Sequence, residues 1–174
     1  MLLEKTYKRF ARNGANLDDE DKTRLRVMDS ELAKLSIQFG ENVLNETNEY
    51  VMNVPDENDL AGLPDFAREA AKKVAEEKSL AGWAFTLQAT SYGPFMQYAD
   101  NRNLREKLYR AHNERGFRAD KNDNQENINR MVELRYERAN LLGYSTHADF
   151  VLEESMAGSS QKVNSFLAEL VQHA

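Results

Sequence analysis

The residue types able to do chemistry are few and scattered. Histidines stand at His112, His147 and His173, separated by 35 and 26 positions. Imidazoles and carboxylates bind zinc when they converge on one ion, and a helix achieves this most simply with two histidines one turn apart. No helix can present two of these three at that spacing, and none is followed by the glutamate of an H-E-x-x-H motif. Exposed or core-edge imidazoles are expected instead, with His147 in the first turn of a helix. Hydroxyl chemistry is no better served. Ser159-Ser160-Gln161-Lys162 matches S-x-x-K, but the S-D-N and K-T-G partners of penicillin-recognising enzymes are missing. A serine just before an apolar run is the expected N-cap of a helix. Neither G-x-S-x-G nor a phosphate-cradling glycine loop occurs. Asn45-Glu46-Thr47 fits the glycosylation sequon, which means something only in a secretory context. With no cysteine, a thiol nucleophile, a thiolate zinc site and a disulfide framework are all excluded.

The strongest local charge bias lies at 101–121. Arg102, Arg105, Lys107, Arg110, Arg115, Arg118 and Lys121 face only Glu106, Glu114 and Asp120, a net of +4. Such a stripe could follow a phosphate backbone or steer an acidic ligand. Tyr109 and Phe117 are its only aromatic residues, too few to stack a single strand. The whole chain carries 23 Lys and Arg against 29 Asp and Glu, a net charge of −6, which disfavours wholesale binding to nucleic acid or an anionic membrane. The expected role is a solvated helix face paired with acids elsewhere in the chain.

The elements that must position these residues are mostly helical. Glycine and proline together number 11 in 174 residues, too few turn formers for a barrel or sandwich of many short strands. Hydrophobic residues at 41% are enough for a core and too many for a disordered tail. No apolar run approaches the ~18 residues of a membrane span. Leu3, Tyr7 and Phe10 fall at helical spacing up to Arg12. Asp18-Asp19-Glu20-Asp21 reads as a helix N-terminus, acids facing the positive end of the dipole. From there Leu25, Met28, Leu32, Leu35, Phe39 and Val43 form one continuous stripe, so this long helix is expected to lie against another. Between 48 and 93 two short runs, Glu49–Val54 and Gly82–Leu87, are rich in aromatic and β-branched residues. They are expected to pair across a helix that begins at Pro64 and runs through Lys78. Further helices are expected over 101–115, 127–142 and from Ser159 or Ser160 onward, the last burying Val163, Phe166, Leu167, Leu170 and Val171. The fold class is therefore mainly α, a bundle of long antiparallel helices with a small two-strand β insert at about 49–54 and 83–87. We expect a single helical segment over 1–174: long helices to 48, the strand–helix–strand insert over 49–93, and helix again over 94–174. The apolar face of the last helix asks for a partner beyond residue 174, an expectation of truncation.

Several phrases, in order and spacing, resemble one family. Arg9-Phe10-Ala11-Arg12-Asn13-Gly14-Ala15 leads to Leu35-Ser36-Ile37-Gln38-Phe39-Gly40-Glu41-Asn42-Val43-Leu44, then Leu60-Ala61-Gly62-Leu63-Pro64 and Gly82-Trp83-Ala84-Phe85-Thr86-Leu87. Tyr98, Asn101 through Ala111, Arg115, Leu134-Arg135, Ala139 through Tyr144, Ala148 and Met156-Ala157 complete the series. Together they look like the zinc metallopeptidases of the thimet-oligopeptidase type, nearest the bacterial peptidyl-dipeptidase and oligopeptidase A branch. The chain departs at Ala89-Thr90-Ser91-Tyr92, where relatives often have proline before Ser-Tyr.

The resemblance implies a nearly all-helical protein whose two halves enclose a channel for short peptides. It also implies an H-E-x-x-H helix and a further glutamate: two histidines and that glutamate hold Zn²⁺, and the motif's own glutamate acts as general base. None of those residues is in this sequence, so the expected catalytic, cofactor-binding and metal residues of this chain are none. The expectation is a non-catalytic segment forming one wall of the channel, inactive alone, with zinc in the parent and none bound here. The parent would release dipeptides from peptide C-termini or cut short oligopeptides. Its expected partners are short peptide substrates and the catalytic half, without nucleic acid or membrane, in the cytoplasm or alternatively the periplasm. The rival expectation is a stand-alone helical module binding protein or nucleic acid through the basic 101–121 face.

Overall fold

The structure is a computed structural model, and it describes residues 2–172. Eight α-helices and one two-stranded sheet appear among the described residues, in the order α1 (Leu2–Arg12), α2 (Asp19–Glu49), β1 (Met52–Val54), a 3₁₀ turn (Glu57–Leu60), α3 (Asp65–Glu77), β2 (Trp83–Phe85), α4 (Ala89–Tyr98), α5 (Arg102–Asn113), α6 (Gln125–Leu141), α7 (His147–Leu152) and α8 (Ser160–Val171). The mainly helical class and the small insert are as expected. No helix among the described residues is long and apolar enough to cross a membrane.

Local chemistry fixes the helix starts. Asp18 accepts the amide of Asp21 at 2.8 Å to open α2, whose first turn is acidic. Asn101 accepts the amides of Asn103 and Leu104 to open α5, and Ser159 accepts that of Lys162 to open α8. Pro64 stands at the N-cap of α3, one residue earlier than the expected first helical position. Helix α4 had no counterpart among the expected elements. It contains Pro94, which cannot donate an amide hydrogen bond and would normally argue against a helix. It is tolerated here six residues into a ten-residue helix.

The chain divides into two compact units, the first made of residues up to Ile37 and from Asn127 onward, the second of Gln38–Glu126. In the second, β1 and β2 pair antiparallel with Met52 opposite Phe85, Asn53 opposite Ala84 and Val54 opposite Trp83. A two-stranded sheet is marginal alone in water, so its inner residues must be covered. Met52, Val54 and Phe85 join Leu60, Leu63, Ala71, Leu87, Phe95, Ala99, Leu108 and Ala111 in one buried cluster. The Phe85 and Phe95 rings meet edge to face, centroids 4.5 Å apart. Two glycines let backbones close on this core. At Gly62 (φ +83°) a Cβ would stand 2.2 Å from the Tyr98 carbonyl oxygen, and at Gly82 (φ +83°) 2.5 Å from that of Val54.

In the first unit Leu25, Met28, Leu134 and Ala139 are buried. Ion pairs tie α2 to α6: Arg130 grips both carboxylate oxygens of Glu31 at 2.7 and 3.1 Å, and Arg138 Nε donates to Asp29 at 2.6 Å. The α2 stripe is thus covered at its start, whereas Leu32 and Leu35 are half-buried and Phe39 is 38% exposed. The α8 expectation is corrected. Phe166, Leu167, Leu170 and Val171 are exposed and Val163 half-buried, because no described element lies over that face.

The end of α1 is fastened through Arg12. Its Nε donates to Glu153 at 2.7 Å and to the Tyr144 hydroxyl at 3.2 Å, and its Nη2 donates to the Phe150 carbonyl. Tyr144 donates in turn to Glu153 at 2.6 Å, and Lys8 pairs with Glu153 and Glu154. These donors, the Tyr144 hydroxyl first, hold the Glu153 carboxyl down at about 2 against its ordinary 4.5. A depressed carboxylate stabilises above its unfolded pKa and loses that contribution as pH falls through the folded value. The first unit therefore loses stability between about pH 4.5 and 2, a window set by Glu153. Thermal melts of the chain and of Glu153→Gln across that range check it: the variant melts lower at pH 6 and has the shallower acid slope.

Candidate functional site

Among the described residues, the histidines singled out in the sequence lie in different units of the chain. His112 lies on α5 in the second unit and His147 opens α7 in the first, while His173 falls outside the described residues. Among the described residues no group of three or more His, Cys, Asp or Glu side chains could hold a metal ion. This donor set does not fit a zinc centre. Ser159 is engaged as the α8 cap, and Ser160 donates to Asp149 at 2.7 Å. The sequon threonine is likewise engaged, Thr47 donating to the Val43 carbonyl at 2.7 Å within α2.

Five of the seven cations of the basic run hold partners within the chain. Arg110 pairs with Glu106 and Glu114, and Lys121 with Glu49 at 2.7 Å. Arg105 donates to the carbonyls of Ala99 and Asp100 where α4 ends. Arg115 and Arg118 turn toward α2, where they meet the buried side chains of Thr47 and Glu46. Arg115 Nη1 donates to Thr47 Oγ1 at 2.6 Å and its Nε to the His112 carbonyl at 2.8 Å. Its Nη2 lies 2.9 Å from His112 Nε2. A guanidinium can only donate, so that ring nitrogen is the acceptor and the imidazole proton sits on Nδ1. Tyr92 stacks on the same ring at 4.1 Å. Burial first, then the Arg115 charge, pushes the His112 pKa below its ordinary 6.5. His112 is thus a neutral imidazole with its lone pair occupied, placed to pack rather than to take a proton from substrate.

Glu46 is the unusual member. It is only 6% exposed, and neither carboxylate oxygen accepts a hydrogen bond. Its compensation is ionic, Arg118 Nε at 3.7 Å, while Arg118 Nη2 donates to the Ala111 carbonyl at 3.0 Å. Neighbouring contacts pin the same loop to α2. Asn42 donates to Asn124 Oδ1 at 2.9 Å, and Asn124 Nδ2 donates to the Phe39 carbonyl at 3.2 Å. Sequence reasoning missed this cluster although its signal was present: Asn42, Glu46 and Glu49 fall at helical spacing beside an apolar stripe. The cluster binds two segments of backbone to each other.

With the geometry in place, likeness to known proteins assigns the class. Residues 95–174 match peptidase family M3. The chain is 38% identical to oligopeptidase A of Haemophilus influenzae over 99% of its own length and 26% of that protein. It is equally 38% identical to oligopeptidase A of Escherichia coli, and 33% identical to the dipeptidyl carboxypeptidase of that organism, with the same shares covered. By sequence the chain is similar to peptidase family M3 over residues 95–174. Within that family its likeness is to the oligopeptidase A and dipeptidyl carboxypeptidase proteins, and it spans about a quarter of their length. The rival reading of 101–121 as a docking face gains no support, since five of its seven cations hold partners within the chain.

The buried carboxylate yields a stability prediction. Removing one member of a buried pair strands the other charge, at a cost of about 3–5 kcal/mol when both are sealed from water. Arg118 is 33% exposed, so screening reduces this, and Arg118→Met is expected to destabilise by about 1–3 kcal/mol. Glu46→Gln, which removes the buried charge itself, costs less. Urea unfolding of the two variants and the double variant measures the difference. Equal losses would show that Arg118 acts through its carbonyl contact instead.

Proposed function

We propose that this chain is a non-catalytic helical segment of a zinc metallopeptidase. It forms one wall of the channel through which short peptides reach a metal centre held by residues outside this sequence. The single observation carrying the proposal is likeness to oligopeptidase A over 99% of the chain, in a sequence without any H-E-x-x-H motif. The full protein then releases dipeptides from peptide C-termini or cuts short oligopeptides, and both relatives bear on that choice by name. Its partners are short peptide substrates and the catalytic portion that supplies the metal ligands. A cytoplasmic setting belongs to the same proposal, and the name of one Arabidopsis thaliana relative, probable cytosolic oligopeptidase A, supports it.

The role of the chain's own residues is to build and hold a surface. The Phe85–Phe95 core, the Gly62 and Gly82 close approaches and the Arg115–Arg118 clasp keep helices α3 to α5 and the end of α2 in fixed register. A wall that must present peptide-binding positions within a fraction of an ångström needs that rigidity.

The proposal has a direct assay. Incubated with zinc and a blocked oligopeptide, the chain alone is expected to give no cleavage above background. Mixed with a separately produced C-terminal portion of the longer protein, it is expected to restore turnover that neither piece shows alone. Zinc-dependent cleavage by the isolated chain would refute the non-catalytic role. Full activity of the C-terminal portion without it would refute the wall.

A further inference from the structure

The first unit contains an open cavity of about 340 Å³ whose walls include Leu32, Ser36, Arg135, Arg138, His147 and Phe150. Its charge is unlike that of the chain as a whole. In a protein with a net charge of −6, this cavity is lined by two arginines and a histidine and by no carboxylate. Two other cavities of the described residues each include an acid: Glu31 beside Arg26 and Lys34, and Glu106 beside Arg102 and Arg105.

Three further observations concern the polar groups. His147 Nδ1 is buried and has no hydrogen-bond partner, and a buried nitrogen left unpaired is destabilising. Arg135 is exposed and makes no ion pair within the described residues. Arg138 is only 14% exposed and gives its Nε to Asp29, while its guanidinium lies 5.0 Å over the Phe150 ring. Burial first, then Arg135 and Arg138, holds His147 below its ordinary pKa of 6.5. The remaining charged groups near this ring are already committed. Arg12 lies on the Phe150 ring and pairs with Glu153, and Asp149 accepts from Thr146 and Ser160.

We propose that this cavity is an anion site for a small phosphate- or carboxylate-bearing molecule with an apolar or aromatic body. The anionic group takes the open guanidinium of Arg135 beside the His147 ring, while the body lies against Phe150 and Leu32. The volume falls within the range of small-molecule sites, and a cation-rich wall next to an aromatic ring suits a ligand charged at one end only. The site lies wholly within the first unit and does not depend on the peptidase reading.

Histidine NMR of the 174-residue chain tests it, with phenyl phosphate and benzoate as probes at low ionic strength. Saturable shifts are expected at His147 and none at His112. Bound anion favours the imidazolium, so the His147 titration moves upward and benzoate binds more tightly as pH falls through it. Arg135→Ala, at an exposed position without an ion pair, is expected to keep the fold and weaken binding about tenfold. In the free variant His147 titrates higher than in the parent chain, because one neighbouring positive charge is gone. Binding by only one probe identifies the headgroup as phosphate or carboxylate and supports the site. A His147 unmoved by millimolar amounts of both probes, or undiminished binding by Arg135→Ala, overturns it.

Discussion

Polar groups withdrawn from water must find partners, and in this protein that requirement falls most heavily on the second half of α2. The helix presents Asn42, Glu46 and Thr47 on a buried face, where an apolar seam would have needed only a neighbouring surface. Each brings a demand of its own: an amide to be paired, a carboxylate to be neutralised, a hydroxyl to be matched. The loop after α5 meets all three, with Asn124 on Asn42, Arg118 on Glu46 and Arg115 on Thr47. The positive bias of 101–121 is intelligible in these terms. Arg118 and Lys121 are counter-charges to α2 carboxylates and Arg115 matches an α2 hydroxyl, so part of the apparent nucleic-acid stripe is a folding device.

The same constraint explains why the family resemblance is carried by phrases without catalytic residues. In Leu60-Ala61-Gly62-Leu63-Pro64 the leucines enter the core, Gly62 passes under the Tyr98 carbonyl, and Pro64 caps α3. In Asn101 through Ala111 the asparagine caps α5, Arg105 closes the end of α4, and Leu108 and Ala111 are buried. Such positions accept few alternatives, because a Cβ at 2.2 Å from a carbonyl or a missing cap acts on the backbone itself. The resemblance is carried by the joints of the fold.

How much could be read in advance follows from the range of the forces involved. The cap at Ser159 and the acidic opening of α2 are local, and each helix begins within a residue or two of its signal. The two strands were legible as aromatic and β-branched runs, although only three residues of each pair. Helix α4 was not, because Pro94 and the aromatic residues around it suit a loop locally. Burial of Phe95 and contact of Tyr92 with His112 decide the matter at longer range. The apolar face of α8 misled for the opposite reason: periodicity announces a buried face without saying what covers it. The polar face of α2 was legible, but which cation meets Glu46 was not, since Glu46 and Arg118 are 72 positions apart.

The two described histidines show how environment divides one residue type between roles. Both are held below their ordinary pKa by burial and neighbouring arginines, so charge alone does not distinguish them. The difference lies in hydrogen bonding. Arg115 donates to Nε2 of His112, Tyr92 stacks on the ring, and its cost of burial is offset where it stands. His147 receives no such compensation at Nδ1, although Arg135 and Arg138 are near enough to depress it. Those arginines cannot accept the ring's proton, and their positive field opposes protonation. An anion on Arg135 would neutralise part of the field that keeps the ring uncharged. The same argument applied to His112 gives nothing for a ligand to do, which is why only one of the two can be read as a site.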